Sequence, residues 1–161
     1  MKSFVTLITI TLLLLHGCKK NNSVIPTVPV DIYVYLNQPL YTNLKVPGGW
    51  VYLSGGVKGI IVYNSGNDLF KAYDRACTYD PATSCSSVTV TTDNVTAVDS
   101  CCSGDACCKS KYIITDGGPI TGLSTVALFQ YRTFLNADGT QLHITNWSEI
   151  LLKQQKQISL K

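Results

Sequence analysis

The sequence predicts an all-β domain, built as an antiparallel β sandwich or open barrel. Short segments rich in β-branched and aromatic residues recur at regular spacing along the chain. Turn-forming Gly, Asn and Asp residues separate these segments, and this arrangement is typical of sandwiches and barrels. Six of the seven cysteines fall in two loops between the segments, so these loops are the first place to look for function.

The predicted strands alternate between apolar and polar residues, except for a continuous apolar segment at 58–63 that indicates a buried strand. They comprise residues 30–36, 50–54, 58–63, 69–74, 87–92, 95–98, 112–115, 127–135 and 141–145. Turns are predicted at 47–49, 55–56, 64–68, 93–94, 116–119 and 136–139. The tail, residues 148–161, has a serine cap for a short helix, although its apolar residues are not well spaced for one.

The first residues of the chain have the layout of a secretory signal. Lys2 precedes an apolar segment at 4–15 that is too short to span a bilayer. The residues around Gly17 and Cys18 resemble a bacterial lipobox, in which the cysteine is acylated and becomes the new N-terminus. We therefore expect a lipoprotein signal peptide at 1–17, lipidation of Cys18, a lipidated tether at 18–29 and the β domain at 30–161. The alternative is an ordinary signal with an unmodified cysteine.

This layout predicts an exported protein, anchored by its lipid to a membrane of the bacterial cell envelope and facing the periplasm or the cell surface. The formal net charge of +3 gives no electrostatic footprint for nucleic acid. In an exported chain, the six cysteines that follow Cys18 favour disulfides. Sequence alone leaves fifteen pairings open.

Four short motifs follow one another in and after the cysteine loops. They are Cys77-Thr78-Tyr79, Asp105-Ala106-Cys107-Cys108-Lys109-Ser110-Lys111-Tyr112, Gly122-Leu123-Ser124 and Leu128-Phe129-Gln130-Tyr131. In this order they resemble the Rieske iron–sulfur domain, and in particular its divergent exported lipoprotein branch. The corresponding family motifs are Cys-x-His, Cys-x-x-His-Gly-Ser-x-Phe, a Gly-Pro-Ala-like turn and Leu-x-x-Tyr. The resemblance covers about residues 30–146 and implies a Rieske-like β fold with both cysteine loops at one tip.

The ligand positions depart from that family. A Rieske cluster has two thiolates on one iron and two imidazoles on the other. Cys77 keeps its position, whereas Tyr79 replaces the first His, Asp105 the second Cys and Cys108 the second His. The one histidine after the signal, His143, lies outside the loops, so the two-His ligation of the family is excluded. The resemblance therefore implies a degenerate cluster site.

Two arrangements of the loop cysteines stay open. In the favoured one there is no cofactor and the cysteines form disulfides, for which the candidates are Cys77, Cys85, Cys101, Cys102, Cys107 and Cys108. The resemblance implies a clamp between the loops, with Cys107 in the second loop and Cys85 as its counterpart. In the alternative, Cys77 and Cys108, with Cys102 or Cys107, help to hold a [2Fe–2S] cluster or a structural zinc.

We predict no catalytic residues. His143 is expected on the solvent side of its strand, and the serines of the loops lack a nearby base. The acids Asp74, Asp80, Asp99, Asp105 and Asp116 are assigned to loops or turns. The strand tyrosines, Tyr33, Tyr35, Tyr41, Tyr52 and Tyr63, are expected to pack, with a sugar-binding face as the alternative.

The sequence thus favours a non-enzymatic binding or accessory module. Its contact surface would be the tip formed by residues 77–85 and 101–111, and its partner an unidentified protein of the envelope. The second hypothesis is electron transfer through a [2Fe–2S] centre held by cysteines.

Overall fold

A computed structural model of the chain describes residues 25–101 and 109–146. Within these residues the fold is all-β, as the sequence predicts, with ten strands and one short 3₁₀ helix. The strands are β1 (Asp31–Tyr35), β2 (Trp50–Leu53), β3 (Ile60–Gly66), β4 (Leu69–Asp74), β5 (Val88–Val90), β6 (Thr96–Asp99), β7 (Lys111–Ile113), β8 (Pro119–Thr121), β9 (Gln130–Leu135) and β10 (Gln141–Thr145).

The strands form two antiparallel sheets. Six strands, in the order β1-β10-β9-β4-β3-β2, make a curved half-barrel. The other four, in the order β5-β6-β7-β8, make a second sheet. The bounds of β4 and β10 are those that the sequence predicts, and the other predicted strands overlap the observed ones.

Two elements were not predicted. The 3₁₀ helix Pro39–Lys45 has a single buried residue, Leu44, so it shows no amphipathic periodicity in the sequence. The strand β8 is three residues long and follows Gly117-Gly118, and for this reason the sequence around Pro119 indicates only a turn.

Strand β3 separates two hydrophobic clusters. Ile60 and Val62 point into the half-barrel, whereas Ile61 points towards the second sheet, and all three side chains are fully buried. Burial on both faces explains why this strand has a continuous apolar sequence. The second cluster includes Tyr73 and Tyr112, which bring the two sheets together.

Polar contacts also fix the second sheet against the first. The backbone N–H of Val90 donates to Tyr52 Oη over 2.8 Å, and Arg75 Nε donates to the carbonyl of Val88 over 2.9 Å. The guanidinium of Arg75 lies 4.0 Å from the centre of the Tyr52 ring. Because Val88 and Val90 belong to β5, these contacts cover the outer edge of that strand.

Asp74 is a buried structural residue, so its assignment to a loop was wrong. It is the last residue of β4 and is fully buried. Its carboxylate accepts N–H groups from Val57 (2.6 Å), Lys58 (3.3 Å) and Ala76 (2.8 Å), and the hydroxyl of Tyr131 (2.6 Å). These donors satisfy a charge that would otherwise be costly to bury.

The described residues contain no helix with the length and hydropathy that a membrane crossing requires.

Candidate functional site

A disulfide joins the two cysteine loops at the open end of the hairpin β5–β6. Cys85 is bonded to Cys101, with the Cα atoms 4.9 Å apart. The clamp expected between Cys85 and Cys107 is therefore wrong. The hairpin explains the pairing, because Ser100 donates its backbone N–H to the carbonyl of Ser87 over 3.1 Å and so brings the flanking cysteines together.

Three of the acids assigned to loops or turns accept local hydrogen bonds from backbone and hydroxyl groups. Asp99 is buried at the end of β6, contrary to its assignment to a loop, and its Oδ1 accepts the N–H of Cys101 over 3.1 Å. Asp80 accepts a hydrogen bond from the hydroxyl of Thr83, and Asp116 accepts a backbone N–H two residues ahead. Asp80 and Asp116 thus have the turn role that the sequence predicts.

Cys77 lies at the base of the first loop, in the second hydrophobic cluster. Its side chain is fully buried, and its Sγ lies 3.4 Å from Tyr112 Oη. Tyr112 comes from β7, which directly follows the second loop. This contact therefore connects the bases of the two cysteine loops.

Tyr112 Oη is part of a buried hydroxyl network, which we define as the side chains of Thr78, Ser110, Tyr112 and Ser124. Tyr112 Oη accepts the N–H of Thr78 over 3.3 Å and lies 3.1 Å from Thr78 Oγ1. Thr78 Oγ1 in turn lies 2.6 Å from Ser124 Oγ and donates to the carbonyl of Val126 over 2.7 Å. The network gives these buried polar atoms hydrogen-bond partners.

A third segment, residues 122–126, closes over the network. The backbone N–H of Ser124 donates to Ser110 Oγ over 2.8 Å. Gly122 has a φ of +96°, and a Cβ atom at this position would overlap the backbone of Ser110. Glycine is required here because the conformation and the close approach both exclude a side chain.

Burial raises the pKa of Tyr112, and the hydrogen bond to Cys77 raises it further. The phenol thus stays protonated at neutral pH and keeps one proton to share between Cys77 Sγ and Thr78 Oγ1. The network supplies hydrogen bonds, and no described group near it is placed to act as a general base.

Exposed apolar side chains lie in the segments that the network joins. Tyr79, Leu123 and Val126 are 53%, 54% and 45% exposed. Each lies within two residues of Thr78 or Ser124, which contact each other. The segment 122–126 thus adjoins the tip, and we count this segment as part of the tip.

The described part of the site does not fit a two-His iron–sulfur cluster. Tyr79, which the resemblance assigns to the first His position, has no imidazole and is half exposed. His143 belongs to β10 of the six-stranded sheet, a strand that is next to neither cysteine loop in the chain. Over residues 25–101 and 109–146, no group of three or more His, Cys, Asp or Glu side chains is placed to hold a metal ion.

Several predicted site residues lie outside the described residues. They are the lipidation site Cys18 with its signal peptide, the degenerate position Asp105, and the cysteines Cys102, Cys107 and Cys108. The predicted tail helix at 148–161 lies outside them as well.

His143 lies on the outward side of its strand, as the sequence predicts, but its side chain is largely covered by neighbours. That side chain is only 15% exposed. The ring stacks on Tyr33, with 4.3 Å between centroids, and Nε2 lies 2.6 Å from Asp31 Oδ1. His143 is thus held by neighbours on β1.

The roles of Thr78, Ser110, Tyr112 and Ser124 were not predicted from the sequence. Ser110 and Tyr112 are two residues apart just after the second loop, and this alternation is the signal that places them on one side of a strand. The disulfide also had a signal, since Cys85 and Cys101 lie almost symmetrically about the predicted turn at 93–94.

No protein-family model matches the chain, and no curated protein shows significant similarity to it.

Proposed function

We propose that the chain is an exported, lipid-anchored protein of the cell envelope, and that its β domain is a non-enzymatic binding or accessory module. The disulfide Cys85–Cys101 is the observation that carries this proposal. It fixes the loops covalently at the tip, which is what a rigid contact surface needs. Fixed loops lose less conformational entropy when a partner binds.

The anchoring part of the proposal is supported by the sequence around Cys18. A basic residue, a short apolar segment and a cysteine in a lipobox-like position form one signal. A disulfide in the folded domain agrees with export, because disulfides persist in oxidising compartments.

Two features support the tip as the contact surface. The hydroxyl network and the disulfide hold its base, while Tyr79, Leu123 and Val126 are exposed on it. Partner contacts are commonly centred on apolar and aromatic residues of this kind.

We also propose that the domain is related to the Rieske-like domains. In support, the hairpin β3–β4 precedes the Cys77 loop, the hairpin β5–β6 precedes the second loop, and β7 follows. The same order of parts underlies the resemblance in the sequence. The replaced ligands point to a degenerate domain, because a two-His cluster does not fit the residues present.

Electron transfer by an all-cysteine [2Fe–2S] centre is the second candidate. Its ligands would include Cys77 and Cys108, with Cys102 or Cys107. When bound, the cluster would supply one-electron transfer, and Tyr112 would hydrogen-bond the thiolate of Cys77.

The binding proposal is tested by site-specific photo-crosslinking in intact cells. A benzophenone amino acid replaces Tyr79 or Leu123 at the tip, or Ala137 in the exposed β9–β10 turn as the matched control. We expect a discrete protein adduct from the two tip positions and none from Ala137. Equal adducts from all three positions, or none from the tip, would contradict a contact surface there.

The anchor is tested separately with Cys18→Ser. We expect this variant to lose incorporation of an alkyne-labelled fatty acid and to leave the membrane fraction. If the variant is still labelled and still sediments with membranes, Cys18 is not the lipidation site.

A further inference from the structure

The outer side of the six-stranded sheet is covered only in part. Tyr73 of β4 faces outward opposite Gln130 of β9, and it packs in the hydrophobic cluster under the second sheet. On β1, β10 and β9 the same side carries a row of rings instead. We define the aromatic face as Tyr33 and Tyr35 of β1, His143 of β10 and Phe134 of β9.

Strand register brings these rings together. Tyr33 is directly opposite His143, and His143 is directly opposite Phe134, so the three form one row across three strands. The rings of Tyr33 and His143 are parallel to within 4°, and those of His143 and Phe134 are 6.1 Å apart. The row is thus already assembled in the free protein.

The two tyrosines extend this row along the edge of the sheet. Tyr33 and Tyr35 are two residues apart on β1, so they point to the same side about 7 Å apart. They are 50% and 47% exposed. Asp31 holds the His143 ring through the Nε2 atom of the histidine. The stack on His143 in turn fixes the ring of Tyr33 without burying it. A ring that is fixed before binding loses little conformational entropy when a ligand stacks on it.

The outward side of these strands combines rings with polar groups. On these three strands the aliphatic side chains, among them Ile32, Val34, Leu142 and Ile144, point inward. The outward positions carry only aromatic, polar or charged side chains. Rings flanked by hydrogen-bonding groups suit a ligand that has an apolar side and hydroxyls at its rim.

The charges on the face argue for an uncharged ligand. Apart from His143, the charged residues at outward positions of these strands are Asp31 and Arg132, which have opposite signs. Both are exposed, and both lie opposite Thr145 in the register. Such a face has no net attraction for a polyanion. Gln141, opposite Tyr35, adds an amide that both donates and accepts.

We propose that the aromatic face binds a neutral polysaccharide. A pyranose has an apolar C–H side that stacks on aromatic rings, and hydroxyls at its rim that pair with carboxylates, amides and guanidinium groups. The tyrosine rings would receive the C–H side, and Asp31 and Gln141 would receive hydroxyls. This face lies on β1, β9 and β10, none of which leads directly into a cysteine loop, so the inference does not rest on the proposed function of the tip.

The test is a titration of the purified full chain with soluble hexasaccharides of β-1,4-linked glucose, N-acetylglucosamine and mannose. We expect saturable binding of at least one of them at concentrations up to about 10 mM, followed by calorimetry. Tyr33→Ala and Tyr35→Ala should each weaken that binding by at least about tenfold, because each removes a stacking ring. Tyr33→Phe keeps the ring, so its effect should be about threefold or less.

Ile120→Ala is the matched control, because Ile120 is as exposed as Tyr33 but lies on β8 of the other sheet. It should leave binding unchanged, and thermal unfolding checks that each variant is folded. The proposal is overturned if no hexasaccharide saturates, if both alanine variants bind like the parent chain, or if an anionic galacturonate hexasaccharide binds as tightly as the neutral ones. It is also overturned if the chain is a dimer that Tyr33→Ala converts to a monomer, since a second copy would then cover the face.

Discussion

Tyr112 Oη lies 3.4 Å from Cys77 Sγ and also accepts the backbone N–H of Thr78. This single hydroxyl connects strand β7 to the first cysteine loop inside a fully buried cluster. The base of the tip is therefore held by hydrogen bonds as well as by the disulfide, and each contribution can be measured separately.

Tyr112→Phe should lower the free energy of unfolding by about 1–3 kcal/mol, because it leaves the buried N–H of Thr78 without its acceptor. Urea unfolding followed by circular dichroism measures this change. The matched control is Tyr73→Phe, in the same cluster. Tyr73 is equally buried, but its hydroxyl has no hydrogen-bond partner within the part of the chain described. Its loss should be neutral or stabilising. Equal losses from both variants would show that the network contributes no specific stability.

The double variant Cys85→Ser/Cys101→Ser should be less stable than the parent chain by about 3 kcal/mol, the amount expected for a closed loop of this length. The sequence separation of the two cysteines is 16. Peptide mapping under non-reducing conditions should recover the pair Cys85–Cys101 from the parent chain. A pair between Cys85 and Cys107 in that map would contradict the structure.

Reducing agent provides the control for this variant. Cys85 is exposed, so its disulfide is accessible to a thiol reductant. Reduction should destabilise the parent chain towards the level of the double variant and change the variant much less. A similar loss in both would mean that other disulfides hold the tip.

Gly56→Ala should be markedly more destabilising than Gly139→Ala. Both glycines have positive φ, +64° and +70°, so both substitutions carry the same backbone strain of about 1–2 kcal/mol. Only at Gly56 does a Cβ atom meet other groups, overlapping Asp74 Oδ2 and approaching Tyr131 Oη to 2.5 Å. Disrupting the hydrogen bond from Tyr131 to the Asp74 carboxylate should lower the free energy of unfolding by about 1.5–3 kcal/mol more, the value of a hydrogen bond to a charged group. Urea unfolding measures this difference. Equal effects of the two substitutions would contradict a tightly packed Asp74–Tyr131 pair.

Alkaline pH should destabilise the fold through its buried tyrosines. Burial and the negative charge of Asp116 raise the pKa of Tyr73 to about 12, and burial raises those of Tyr112 and Tyr131. An unfolded tyrosine has a pKa of about 10, so below that pH both states keep their protons and the stability is unaffected. Above it the unfolded state loses protons first, and the free energy of unfolding falls. For Tyr73 the fall ends near its folded pKa of about 12.

The measurement is the urea midpoint as a function of pH, from neutral to strongly alkaline. Tyr73→Phe should lessen the alkaline loss, because it removes one of the raised groups. A midpoint that stays constant between about pH 10 and 12 would contradict the burial of these phenols.

Alternation and turn residues were enough to predict most of the strands. The bounds of β4 and β10 could be predicted because each alternates clearly and is flanked by turn residues. Strand β8 could not, because its three residues follow two glycines. The outward position of Tyr33 and Tyr35 follows from the same alternation. The contact of Tyr33 with His143 depends on the pairing of β1 with β10, and these strands are distant in sequence.

The candidate site was harder to predict than the fold. Its cysteine loops stand out in the sequence, but fifteen pairings of six cysteines exist, and only the hairpin geometry selects Cys85 with Cys101. The burial of Asp74 could not be foreseen either, because it depends on Tyr131, whose strand β9 pairs with β4 across a long sequence separation.

We propose that a disulfide holds the two loops of the tip together and that the tip binds no iron–sulfur cluster. This proposal is tested most directly by the iron and zinc content of the full chain, purified without oxygen, together with its visible absorption spectrum. We predict a colourless protein with no stoichiometric metal. Two irons per chain with visible charge-transfer bands would contradict this prediction and establish the electron carrier, with Cys77 as the first ligand to test.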